Sequence, residues 1–241
     1  LTGCVQRAIF GDVNAATVRV LTAFGCEVVA PRDQACCGAL ELHAGRAGSA
    51  ATRARALIDA LDDPTVDYVV VNSAGCGSTL KEYGAVLDGD PRAAAFAAKV
   101  RDVHEVLAEL EPPATLRPLA IDVAYHDACH LAHAQGITAE PRAVLRRIPD
   151  LVVREIPEAA ICCGSAGVYN LLQPDAATAL GQRKAANVRS VAPDALAAAN
   201  PGCLIQIAAN LGADGDPIPT FHPLELLDAS LRGEDAAGLL A

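Results

Sequence analysis

The 241-residue chain contains no methionine and no tryptophan, and aromatic residues make up only 3% of it. A core built from it must therefore be aliphatic. Hydrophobic residues reach 52%, many of them Ala, which favours helices packed closely on a sheet. A chain that starts at Leu1 and lacks an initiator reads as a fragment, a processed chain or an excised region. No apolar run approaches the length of a membrane span, so no transmembrane segment is expected. There is no basic start followed by an apolar run and a small-residue cleavage site, so no signal peptide is expected either. Positive charge is scarce, with 19 Lys and Arg against 29 Asp and Glu. That balance sets aside nucleic acid as a partner, which would call for a basic stripe. A G-x-G-x-x-G turn followed by an acidic residue is also missing, and with it a nicotinamide or flavin site.

What the chain does have is nine cysteines. Disulfide scaffolds are short, secreted and loop-rich, so metal or redox chemistry is the better expectation. Eight of the nine form two sets: Cys4, Cys36, Cys37 and Cys76, then Cys129, Cys162, Cys163 and Cys203. The offsets between partners are 125, 126, 126 and 127, the register of a duplicated module. Neighbouring residues repeat as well. Ala35-Cys36-Cys37-Gly38-Ala39 matches Ile161-Cys162-Cys163-Gly164-Ser165, and Ser73-Ala74-Gly75-Cys76 matches Asn200-Pro201-Gly202-Cys203. Val103-His104-Glu105 resembles Phe221-His222-Pro223-Leu224-Glu225, which pairs His104 with His222 as structural residues. Cys26 has no partner and reads as a small buried hydrophobe.

Short apolar runs alternate with Ala-rich stretches of helical period, the pattern of βα units around a parallel sheet. The expected fold class is α/β: two tandem homologous modules, each a small Rossmann-like parallel sheet flanked by helices. Strands are expected to end near Cys4 and to occupy residues 26–30, 68–72, 123–126, 151–156, 195–198 and 218–221. Helices are expected over 14–24, 50–61, 78–87, 141–148, 174–191 and 223–231. The best linker is Glu111-Pro112-Pro113-Ala114-Thr115, which divides the chain into modules 1–113 and 114–241.

In a parallel sheet, the loops after the strands share one edge, where ligands usually bind. Four thiols per module would meet there, the ligand number of a [4Fe–4S] cluster. Helices starting near the cysteines would aim backbone amides at the sulfurs. Two structural zinc sites remain open, although zinc proteins usually present short C-x2–4-C knuckles and none is present. Inert or reactive thiols also remain open. His126, His130 and His133 crowd around Cys129. They are expected to shape the pocket, with His126 and His130 on one face if the segment is helical.

One Cys, about 31 residues, Cys-Cys-Gly and a later Gly-Cys is similar to the cysteine-rich CCG domain. That domain occurs in the iron–sulfur subunit of glycolate oxidase, in lactate-utilisation iron–sulfur proteins and in heterodisulfide reductase. Gly3-Cys4-Val5-Gln6, Ser73-Ala74-Gly75-Cys76-Gly77, His126-Asp127-Ala128-Cys129 and Cys162-Cys163-Gly164-Ser165-Ala166-Gly167-Val168-Tyr169 most resemble the glycolate oxidase subunit. The resemblance implies an electron-transfer subunit that is not itself catalytic, with one iron–sulfur cluster per module held by Cys4, Cys36, Cys37, Cys76, Cys129, Cys162, Cys163 and Cys203. It implies an FAD-containing oxidase subunit as partner, a 2-hydroxy acid such as glycolate or lactate as that partner's substrate, and a quinone as acceptor. A cytoplasmic location follows, with membrane association only through the partner complex. The chain departs from heterodisulfide reductase where a fifth cysteine would stand, at Ser73 and Asn200, which weakens a disulfide-reducing alternative. It also lacks the ferredoxin-like region of the glycolate oxidase subunit, which would be separate or lost ahead of Leu1. A zinc-binding scaffold is the remaining alternative.

Overall fold

A computed structural model describes every residue of the chain except Ala114, Asp214 and Ala241. In the first half the order is α1 (Cys4–Ile9), α2 (Gly11–Ala23), α3 (Ala39–His43), α4 (Ala47–Leu61) and β1 (Val69–Val71). It continues with α5 (Ala74–Lys81), α6 (Tyr83–Val86), α7 (Pro91–Lys99), β2 (Val100–Asp102) and α8 (Val103–Glu109). Three successive valines make β1, since β-branched side chains suit a strand. It pairs in parallel with β2, Val69 beside Val100 and Val71 beside Asp102. Strand β2 was not expected. It follows α7 without a break, and three residues are too few to show alternation.

The second half begins with β3 (Asp122–His126), α9 (Cys129–Ala132), α10 (Ala139–Leu145), β4 (Val152–Glu155) and α11 (Tyr169–Leu172). Then come α12 (Pro174–Arg189), β5 (Ala195–Ala198), α13 (Pro201–Gly212), β6 (Thr220–Phe221), α14 (Pro223–Arg232) and α15 (Ala236–Leu240). Its sheet has the order β4-β3-β5-β6, and every pairing is parallel. The two parallel sheets flanked by helices are the two tandem α/β modules that the repeat implies.

Two expected strands of the first half do not form. Cys4 opens a helix instead of closing a strand, and residues 26–30 are extended but join no ladder. The counterpart of residues 26–30 is β4, which pairs with β3, and Leu1 aligns with His126, the last residue of β3. Leu1 still takes the strand's place, its amino group donating to Val70 O at 2.6 Å. Beside it lies a groove of about 850 Å³ lined by Val28, Val29, Tyr68 and Val70.

The halves are interlocked. Helix α2 packs on α14, and α8 packs on α10. Because α10 and α14 are the counterparts of α2 and α8, the exchange is reciprocal. One apolar core accordingly draws on both halves, with Val20, Leu21 and Leu107 from the first packed among Leu145, Leu224 and Leu227 from the second. Arg19 adds a two-pronged ion pair to buried Asp228 across the junction, at 2.8 and 2.6 Å. The segment between α8 and β3 is irregular and includes the expected linker, of which Ala114 lies outside the described residues. We propose that the modules divide there, at 113/114.

Helices α8 and α14 both start with a capping box in which Glu105 and Glu225 accept from the N-cap amides. The N-caps are Asp102 and His222, so His222 is the counterpart of Asp102, and His104 is the counterpart of Leu224. The expected His104–His222 equivalence is therefore corrected. The two rings nevertheless stack on each other across the junction, centroids 5.7 Å apart, and both are fully buried.

Leu227→Ala removes a fully buried side chain from the shared core, and a loss of about 2–5 kcal/mol is expected in urea unfolding. Hydrogen exchange should show both halves losing protection together. Selective loosening of the second half would contradict a shared core.

Candidate metal centres

Cys76 and Cys203 sit at the third position of α5 and α13, the helices that follow β1 and β5. Cys4 and Cys129 are the first residues of α1 and α9. Cys36-Cys37 and Cys162-Cys163 lie in loops, and each loop turns at a glycine with positive φ, Gly38 at 83° and Gly164 at 94°. A Cβ on Gly164 would stand 2.4 Å from Ala177 O, and one on Gly38 would stand 3.2 Å from Ala50 O. These two glycines let the Cys-Cys loops lie directly on α12 and α4.

The thiols converge as the repeat implies. Cys4 Sγ is 3.3 Å from Cys36 Sγ, and Cys37 Sγ is 3.3 Å from Cys76 Sγ. In the second half Cys129 faces Cys162, and Cys163 faces Cys203. All nine cysteines are free. The two sets also meet each other. A single cavity of about 240 Å³ between the halves is lined by every one of the eight except Cys162. The unpaired Cys26 lines the other groove, where burial pushes its thiol up.

Backbone amides point at the sulfurs in a pattern that repeats. Val5 serves Cys4, Gly38 serves Cys36 and Ala39 serves Cys37. His130, Gly164 and Ser165 do the same for Cys129, Cys162 and Cys163. The Gly164 N–H lies 3.3 Å from Cys162 Sγ. Hydrogen bonds from neighbouring thiols make the thiolates unequal. Cys36, beside the Cys37 thiol, is held down to about 5. Burial and the Cys36 contact push Cys4 up to about 11. Cys162 and Cys203 are likewise lowered, chiefly by the Cys129 and Cys163 thiols, while Cys129 and Cys163 are raised.

The histidines do not share one helix. His126 ends β3, whereas His130 lies in α9. His126 is 1% exposed, and one ring nitrogen, Cys163 Sγ and Cys203 Sγ lie within 4.8 Å of one another. His130 Nδ1 is 3.8 Å from Cys129 Sγ, and its ring meets His43 from the first half edge-on at 5.2 Å. His133 reaches Ala160 O at 3.2 Å and faces solvent. The turn from β3 into α9 is braced by Arg142, which grips Asp127 with two 2.7 Å bonds and lies over the Tyr125 ring.

Sequence reading missed two residues here. His43 ends the five-residue α3, and no repeated motif marks it. Lys184 lies on α12, fully buried, its Nζ donating to the carbonyls of Glu158 (2.7 Å) and Ala159 (3.3 Å) just ahead of Cys162. Burial pushes the ammonium down while Cys163 and Cys203 work against that shift. A lysine at a core position of α12 was the available signal.

The model of the cysteine-rich domain called CCG matches residues 1–81 and 123–208. The chain belongs to this family. Each matched CCG segment holds one set of four thiols. Over 236 residues the chain is 36% identical to the probable glycolate oxidase iron-sulfur subunit of Bacillus subtilis (strain 168), covering 94% of this chain and 53% of that protein. It therefore spans about half the length of that relative. It is 27% identical over 234 residues to lactate utilization protein A of an Exiguobacterium species, covering 95% of this chain and 96% of that protein. A crystal structure of a hypothetical protein from Helicobacter pylori has the same fold, with a TM-score of 0.55 at 12% identity over 94% of this chain and 55% of that one.

Two outcomes follow for the metal-free CCG chain. Iodoacetamide at pH 7 should label half-buried Cys36 ahead of Cys4, because Cys36 is mostly thiolate there. Its rate should fall as the pH drops through about 5; equal labelling of both would contradict the assignment. Gly164→Ala should destabilise the fold more than Gly38→Ala, read as the lower melting temperature. Both substitutions force a positive φ on Ala at about 1–2 kcal/mol, but only the first drives a Cβ into a backbone carbonyl.

Proposed function

We propose that the chain is an iron–sulfur electron carrier, with one [4Fe–4S] cluster per module. The observation that carries this reading is the convergence of eight free thiols in two repeated sets of four, seven of them lining one cavity between the modules. Cys4, Cys36, Cys37 and Cys76 would hold the first cluster, and Cys129, Cys162, Cys163 and Cys203 the second. Four thiolates with amides aimed at their sulfurs suit such a cluster, which when bound supplies reversible one-electron storage. The chain's own residues hold the thiolates in place, donate backbone N–H groups to them, and bury three of them, Cys37, Cys163 and Cys203. No residue here supplies substrate chemistry in this reading.

The relatives' names, a glycolate oxidase iron-sulfur subunit and a lactate utilization protein, support a place in 2-hydroxy-acid oxidation; the FAD-containing subunit as partner and a quinone as eventual acceptor are part of this proposal. A ferredoxin-like region, separate or joined to this one, would belong to the same route. Among the described residues no helix is long and apolar enough to cross a membrane. A cytoplasmic location with membrane contact through the partner suits that assembly.

Zinc is a second reading, because His126, Cys163 and Cys203 offer one donor atom each within 4.8 Å. A disulfide-reducing role has the cavity-facing Cys36 thiolate in its favour, against which stand Ser73 and Asn200 at the places of a fifth cysteine. Iron and acid-labile sulfide analysis on chain purified without oxygen separates these. About eight of each, with an electron paramagnetic resonance signal appearing on dithionite reduction, is expected for two clusters. Zinc without sulfide would overturn the electron-carrier reading.

A further inference from the structure

The two sites are built on one plan, so the places where they differ carry information. Most contacts match. Three residues ahead of Cys76 the Ser73 side chain serves the sulfur, and Asn200 Nδ2 serves Cys203 Sγ at 3.6 Å. The amides of the Cys-Cys-Gly loops match residue for residue. Several buried positions do not: Gln6 in the first module stands where the second has Leu131, and two further differences bring a nitrogen donor to the second site.

The first is His126, three residues ahead of Cys129, whose counterpart three residues ahead of Cys4 is Leu1. Both residues end at the same place beside the neighbouring strand, as the Leu1 bond to Val70 O and the His126–Ala198 pairing indicate. The imidazole is shut away from water with the sulfurs of Cys163 and Cys203 beside it, and it meets the Cys203 thiol as a hydrogen-bond partner.

The second is Lys184. Gly38 touches Ala50 on α4, and Gly164 touches Ala177 on α12, which sets the two helices in register. Seven residues on from each stand Leu57 and Lys184, both fully buried. The first module therefore has aliphatic side chains at both places, where the second has a ring N–H donor and an ammonium group.

We propose that His126 and Lys184 make the second module the electron-holding site, its cluster having the higher reduction potential of the two. Reduction adds one negative charge to a cluster, and a hydrogen bond to sulfur or a buried cation nearby stabilises that charge. Leucines do neither. An electron delivered by a one-electron donor then resides at Cys129, Cys162, Cys163 and Cys203, and the first module acts as the entry station. His126 and Lys184 are positioning residues for charge, with no part in substrate chemistry. This inference rests on the iron–sulfur reading above.

The test is a redox titration followed by electron paramagnetic resonance on the cluster-loaded chain, comparing wild type with His126→Leu, Lys184→Leu and His126→Gln. Wild type should titrate in two separate steps. Each leucine variant should lower the higher potential only, by at least a tenfold shift in the reduction equilibrium, about 59 mV for one electron. Iron and sulfide content should stay at the wild-type value. His126→Gln keeps an N–H donor and should recover most of the loss, which a merely space-filling role would not explain. Potentials unmoved in both leucine variants, or both steps shifted alike, would overturn the proposal. Loss of about half the iron in His126→Leu would make the ring an iron ligand and overturn the hydrogen-bond role. A wild-type chain without iron and sulfide would instead mean that the iron–sulfur reading itself has failed.

Discussion

In a parallel sheet every strand ends on the same edge, and the loops that follow all open there. Here that constraint gathers residues more than 70 positions apart in sequence, from Cys4 to Cys76 and from Cys129 to Cys203, into two compact groups of thiols. Helices α1 and α9 begin at Cys4 and Cys129, α5 and α13 begin two residues ahead of Cys76 and Cys203, and the glycines of the Cys-Cys-Gly loops let those loops lie against α4 and α12. Remove the parallel order and the thiols scatter. Everything else in the molecule either supports that edge or faces it.

The interlock of the halves adds the second level of organisation. Helix α2 lies on α14 and α10 on α8, so each module lends an outer layer to the other. Ala74 N–H donates to Ala199 O at 3.0 Å, and Gly75 N–H to Asn200 Oδ1 at 3.1 Å, tying together the two turns that lead into the cysteine helices. The carboxyl edges of both sheets therefore open toward one cavity. Duplication alone would permit two independent sites on a flexible tether. The shared core makes them neighbours, as the proposed electron route requires.

Much of this was legible in the residues. The repeat of the cysteines, the alternation of apolar runs with Ala-rich helices and the Cys-Cys-Gly turns identified the modules and every cysteine that converges. Helices at 50–61, 174–191 and 223–231 fell within a few residues of α4, α12 and α14, because Pro174, Pro223 and the apolar period mark them. The strand expected at 26–30 joins no ladder, an outcome no local pattern contains, because a strand forms only beside a partner. The pairing of His104 with His222 failed similarly. Matching letters aligned them, whereas the capping boxes align Asp102 with His222.

The amino-acid sequence by itself determined that the chain is duplicated, α/β and thiol-rich, since spacing, periodicity and ligand type are properties of the linear order. Only the tertiary structure decided that members of both thiol sets line one cavity, that His43 reaches His130 across the junction, and that His126 and Lys184 are buried at the second site where the first has Leu1 and Leu57. The reason is that these relations join residues tens to more than a hundred positions apart, through packing between layers. Hydrophobic period places a side chain on a buried face but does not say what it will meet there.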